Sequence, residues 1–144
     1  MDNAPKTTQG ENKRAHLAMI QGVINRMGGN LFFLKGWAIT LVAALFAATI
    51  SFDGNWYLRT TLAGTILFFW GFDAYFLSLE RCYRDMFDTV RHKNEEDVDF
   101  SMDYREFQRF AKNTWLGSIF SRTLLWFYVP LAAAMLIIVF LTNH

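Results

Sequence analysis

At 144 residues the chain has room for one domain. Its residues are 53% hydrophobic and 17% aromatic, divided between very apolar stretches and highly charged ones. A formal net charge of +1 implies no nucleic-acid or membrane-surface partner by itself, and the lone Cys82 excludes an intrachain disulfide and a cysteine zinc site.

The opening segment, residues 1–30, carries no secretory signal, because no small-residue cleavage site follows a short apolar core. Met1 to Asn12 are polar and expected to be disordered. Lys13 to Met27 reads as an amphipathic helix, with Leu17, Ile20, Ile24 and Met27 on one face. It would lie flat on the inner leaflet or pack on other cytoplasmic parts of an assembly. Gly28-Gly29 is expected to end it, and Asn30 to cap the next helix.

Three stretches then have the length and apolarity of transmembrane helices: residues 31–50 with one charge, Lys35; 60–79 with one charge, Asp73; and 123–141 with none. About twenty apolar residues cross a hydrocarbon core roughly 30 Å thick as a helix. A soluble bundle of this size would need polar outer faces, which these segments lack. The fold class expected is therefore an all-α membrane protein with three transmembrane helices, an N-terminal amphipathic helix and a cytoplasmic helical extension between spans two and three. The second helix is expected to continue past Glu80 to about Arg91, because Leu79, Cys82, Tyr83, Met86 and Val90 extend its stripe.

Residues 80–122 form the middle segment. After the acidic run Glu95 to Asp99, Ser101 is expected to cap a helix carrying Tyr104, Phe107 and Phe110 on its apolar side. Gly117 would allow the turn into the third span, where Pro130 is expected to introduce a kink. Lys and Arg crowd the N-terminal segment and the middle segment, whereas the link between spans one and two has only Arg59 and the tail Thr142 to His144 has none. The bias places the N-terminus and middle segment in the cytoplasm and the C-terminus on the periplasmic or extracellular side of a bacterial inner membrane. Trp56 and Tyr57 fit an outer interfacial belt, and Trp126 and Tyr128 an inner one.

No glycine-rich phosphate loop, HExxH or nucleophile elbow occurs, so neither catalysis nor a cofactor is expected. His16, His92 and His144 are scattered and expected to be solvated rather than metal ligands. Lys35 and Asp73 are the sharpest feature, since charges within a membrane need a partner or a wet path. In antiparallel helices their depths differ by only about 3 Å, so an ion pair is open to them, within one subunit or between neighbours. The pair either pins the helices or lines or gates an ion path; Lys35 alone would snorkel to headgroups. Arg105, Arg109 and Lys112 would share one face of the second cytoplasmic helix, with Arg81 and Arg84 neighbours on the first. Such faces suit phosphates. With nine acids against eight bases between Glu80 and Arg122, a solvated surface of salt bridges is the alternative.

The runs QGVINRMGGNLFFLKGWAITLVAALFA, FFWGFDAYFLSLERCYRDMFD, DFSM and SRTLLWFYVPL, spanning about residues 16 to 130, resemble small bacterial membrane effectors of antiphage defence, in particular those of Hailong-type systems. The resemblance implies a homo-oligomeric channel, a tetramer, in contact with membrane lipid. It implies that short single-stranded DNA oligomers or nucleotides, made by a partner nucleotidyltransferase, hold the channel shut, and that loss of the ligand depolarises the membrane. Under it, Lys35 and Asp73 belong to the channel, and Arg26, Arg81, Arg84, Arg105, Arg109 and Lys112 are candidates for ligand phosphates. A non-conducting membrane-anchored interaction or assembly protein is the other reading.

Overall fold

The computed structural model describes residues 6–52 and 55–141. Among these, the elements are helices α1 (Lys6–Ser51), α2 (Trp56–His92), α3 (Trp115–Ile119) and α4 (Arg122–Leu141), with short 3-10 turns at Glu95–Asp97, Phe107–Arg109 and Ala111–Asn113. The described chain contains no strand. Helices α1, α2 and α4 each have the length and composition to cross a membrane.

α1 and α2 are antiparallel rods that run through both an apolar region and a polar lobe. At 46 residues α1 extends roughly 70 Å. One cluster sits in the apolar region, where Ala38 and Val42 of α1 pack with Leu62, Ile66, Phe69 and Ala74 of α2 and with Leu124 and Tyr128 of α4. A second sits in the polar lobe, where Ile20 and Ile24 pack with Met86, Val90 and Val98. α1 and α4 both pack on α2 and scarcely on each other. Lys13 ties the far end together: its Nζ donates to the carbonyls of Arg91 (3.2 Å) and Lys93 (2.6 Å), satisfying acceptors left open where α2 ends.

The expected continuation of the second helix beyond Glu80 is present, and α2 reaches His92. Several other expectations are corrected. Gly28-Gly29 does not end a helix and Asn30 caps nothing, since α1 passes through all three. Glycine in a helix interior costs roughly 0.5–1 kcal/mol relative to alanine, and the contacts of Ile20 and Ile24 on one side and Ala38 and Val42 on the other override it. Lys6 to Asn12 are helical, not disordered, while Met1 to Pro5 lie outside the described residues.

The helix expected after Ser101 is absent. Asp99 Oδ1 accepts from the Ser101 amide (3.1 Å), Ser101 Oγ from the Asp103 amide (3.1 Å) and Asp103 Oδ1 from the Arg105 amide (3.0 Å). These successive side-chain turns offer the backbone an alternative to the helical ladder. Phe100, between the first two, has a left-handed φ of 54°. Its ring meets the edge of His16 at 5.5 Å, and His16 is fully buried rather than solvated, with no hydrogen-bond partner at either ring nitrogen. His92 is exposed, and His144 lies outside the described residues.

Gly117 lies inside α3, where a Cβ would stand 2.1 Å from the carbonyl oxygen of Ala111, so the turn demands glycine. α4 is one helix through Pro130. Trp126 is 81% exposed, but Tyr128, expected at an interface, is fully buried.

Because α1 is continuous at Gly28, and a Cβ there meets nothing within 4 Å, Gly28→Ala should stabilise the protein by roughly 0.5–1 kcal/mol. Thermal unfolding in a mild detergent reads this. A loss of stability would place a break in the helix at that residue.

Candidate functional site

A carboxylate in an apolar bundle must find donors or be costly. Asp73 of α2 is fully buried, and its Oδ2 accepts from Lys35 Nζ of α1 at 2.6 Å and from the Tyr128 hydroxyl of α4 at 3.3 Å. The cluster therefore joins all three long helices. Lys35 keeps 24% of its side chain exposed and lies 5.7 Å from the centroid of the Phe127 ring. Tyr128 also stacks on Trp70, with centroids 5.8 Å apart, and Trp70 Nε1 donates to the Ile119 carbonyl at 3.1 Å. Asp73 Oδ1 has no hydrogen-bond partner. Lys35 and Asp73 thus meet within one chain. Tyr128, the third member, escaped the sequence reading because its place near the start of an apolar span is equally that of a headgroup aromatic.

The cations of the polar lobe are dispersed. Arg105, Arg109 and Lys112 do not share a helical face, because residues 101–114 form turns rather than an α-helix. Lys112 Nζ donates to Asp85 Oδ1 at 2.7 Å, and Arg105 Nε lies 3.8 Å from Asp103. Arg84 is paired with Glu80, four residues earlier, at 2.6 Å. Arg81 Nη1 donates to the Lys112 carbonyl at 2.7 Å and makes no salt bridge among the described residues. Arg26 and Arg109 are exposed and also outside the salt bridges among the described residues. No group of His, Cys, Asp and Glu side chains among the described residues is arranged to hold a metal.

Asp85 is the clasp of this lobe. Besides Lys112 it takes the Asn113 amide on Oδ2 at 2.7 Å, and Asn113 Nδ2 also reaches the Phe107 carbonyl at 2.9 Å. The clasp closes the 107–113 turn over Cys82, which is buried. Below it, Trp115 Nε1 donates to the Gly71 carbonyl at 2.8 Å, with Gly71 leaving room for the indole.

A further feature lies on α1. Ala15, Gly22, Gly29, Gly36 and Ala43 recur every seven residues, with Ala18, Thr40 and Ala47 beside them. All are exposed except the half-exposed Gly29, and they lie on the side of α1 away from α2. A Cβ built at Gly22, Gly29 or Gly36 meets nothing within 4 Å. A seven-residue period is that of a left-handed helix pair, and small side chains let two backbones approach within a membrane. The signal was present in the sequence but is carried by what the side chains lack, so hydrophobic periodicity passes over it.

The chain matches no family model, no curated protein and no solved structure.

Two tests follow from this geometry. Removing one partner of a buried pair leaves an uncompensated charge, at a cost of about 3–5 kcal/mol. Lys35→Met, which strands the fully buried Asp73 carboxylate, should lose about that much in detergent unfolding, and Lys35→Met combined with Asp73→Leu should recover most of it. Costs that simply add would show that the two residues do not act as a pair. In addition, Asp85→Ala should release the 107–113 turn and speed maleimide labelling of Cys82 by about tenfold or more under native conditions. An unchanged rate would deny Asp85 its role as clasp.

Proposed function

We propose that this chain is the protomer of an oligomeric ion channel in a bacterial inner membrane, set from the cytoplasmic side by a polyanionic ligand. In line with the resemblance of its sequence, the channel is the effector of a Hailong-type antiphage system. A tetramer is held shut by a nucleotide or short single-stranded DNA oligomer, and its opening depolarises the membrane. The carrying observation is the unpartnered stripe of small residues along α1. Three apolar helices enclose no lumen, so conduction needs several copies. The stripe offers neighbouring copies a seam that runs the length of the candidate span and on into the polar lobe.

In this reading the distribution of Lys and Arg puts the polar lobe in the cytoplasm. Arg26, Arg105 and Arg109, exposed and either outside salt bridges or held only loosely, are the cations best placed for ligand phosphates, multiplied around a symmetry axis. Lys35–Asp73–Tyr128 is the latch that keeps each protomer's three helices in one arrangement, rather than a pore lining. The protein has no catalytic role.

The competing reading, a non-conducting membrane-anchored assembly protein, is favoured by the full burial of Asp73, which removes the most polar intramembrane group from any path. Planar-bilayer recording separates the two. The purified protein should give discrete currents, and Gly36→Leu, which crowds the seam, should reduce them at least about tenfold while leaving the protomer folded. In cells, a voltage-sensitive dye should report depolarisation that co-expression of the partner nucleotidyltransferase suppresses. Silent bilayers and unchanged membrane potential, with the protein in the membrane, would turn the assignment to an assembly protein.

A further inference from the structure

A cavity of about 470 Å³ lies where the three long helices pass from apolar to polar sequence. Leu31 and Lys35 of α1, Leu77, Glu80, Arg81 and Arg84 of α2, and Thr123 of α4 are among its lining residues. Three cationic side chains therefore line one space with a single carboxylate, that of Glu80; with Asp73, bonded to Lys35 behind the lining, two carboxylates stand against three cations and Arg81 is the excess charge. Each retains donors beyond the bonds it makes. Lys35 uses one of three on Asp73, Arg84 uses two of five on Glu80, and Arg81 uses one on a backbone carbonyl.

The start of α4 adds an independent attraction. Arg122 and Thr123 occupy its first two positions, whose amides have no acceptor within the helix, and Thr123 borders the cavity. The positive start of a 20-residue helix thus borders the space that the cations line, and Ser121 Oγ takes only the Leu124 amide of its first turn (3.4 Å). The surrounding walls are leucines, and the cavity sits in the cleft between α1 and α4, which scarcely touch.

From these features we infer that the cavity binds the phosphate of an anionic membrane lipid, in the leaflet on the side of the polar lobe. A free anion would need only the cations. The apolar wall beside them, at the depth where the spans begin, suits a phosphate that carries acyl chains. Two guanidinium groups, an ammonium and open helix amides match the several oxygens of a phosphodiester. Net charge then selects the headgroup, since a zwitterionic lipid brings its own cation into an already positive cleft. This assignment is independent of the channel reading, and it leaves Arg26, Arg105 and Arg109 to any soluble ligand.

The test is thermal unfolding of the full chain in a neutral maltoside detergent. It is titrated in parallel with phosphatidylglycerol, phosphatidylcholine, inorganic phosphate and a short single-stranded oligodeoxynucleotide. Phosphatidylglycerol should raise the unfolding temperature saturably, whereas phosphatidylcholine and inorganic phosphate should not. Arg81→Gln with Arg84→Gln should raise the half-saturating lipid concentration by roughly tenfold or more, and Arg105→Gln with Arg109→Gln should leave it unchanged. Thr123→Glu provides a second variant that keeps both arginines and suits a helix start; it should weaken the lipid effect to a similar degree. Equal protection by phosphatidylcholine, or a phosphatidylglycerol effect unchanged in Thr123→Glu, would overturn the proposal. So would protection by inorganic phosphate alone, which would make the cavity a free-anion site. Competition by the oligodeoxynucleotide that Arg81→Gln with Arg84→Gln abolishes would assign the cavity to nucleic acid instead.

Discussion

The burial of one carboxylate constrains the rest of this structure. Asp73 stands in the middle of an apolar helix, where water cannot repay its charge. Its two donors come from the other two long helices: Lys35 from α1 and Tyr128 from α4. In hydrocarbon there is little hydrophobic force to hold helix against helix, so packing and polar contacts must do it. A single oxygen contacted from both sides fixes the depth of all three helices relative to one another. The stacked Trp70–Tyr128 pair and the indole bond to Ile119 then set the rotation of α4 and place the short α3 against it.

The second constraint is length. α1 and α2 are much longer than a bilayer requires, and both cross from the apolar region into the polar lobe without a break. A rigid helix transmits axial rotation and tilt along its whole extent. The Ile20–Met86 cluster in the polar lobe and the Ala38–Leu62 cluster in the apolar region are consequently two ends of the same pair of rods. Lys13 closes one end on the carbonyls of Arg91 and Lys93, and the Asp73 latch holds the two rods near mid-length. The Asp85 clasp fastens the turn region between them to α2.

Much of this was legible in the sequence, and the boundary of legibility has physical causes. Span identity comes from apolar content, which lipid enforces strictly. The register of Lys35 with Asp73 follows from the rise per residue alone. The continuation of α2 was readable because Cys82, Met86 and Val90 keep a helical stripe that is buried in the structure. Where a reading depended on local signals, tertiary context won. Gly28-Gly29 looks like a helix stop, yet the flanking contacts with α2 carry α1 through it. Ser101 looks like a helix cap, yet Asp99 and Asp103 on either side turn the backbone before a helix can nucleate. His16 carried no mark of burial, since its partner Phe100 lies far along the chain in a conformation that sequence does not disclose.

The two faces of α1 embody different demands on one helix. The face toward α2 carries Ile20, Ile24, Ala38 and Val42, which fill the chain's own cores. The opposite face carries Gly22, Gly29, Gly36 and the exposed Ala43, and a Cβ at any of the three glycines meets nothing within 4 Å among the described residues. Glycine in a helix weakens it, so the three glycines of this seven-residue series cost the chain stability with no contact that offsets it among the described residues. In the oligomeric reading proposed above, a neighbouring copy would offset that cost, and the missing side chains would define the geometry: a narrow, slowly winding seam that admits another helix at close range. Since α1 also carries Lys35, a helix seated on that seam would bear directly on the rod that holds the latch. Assembly and the arrangement of the three spans would then be linked through α1 itself.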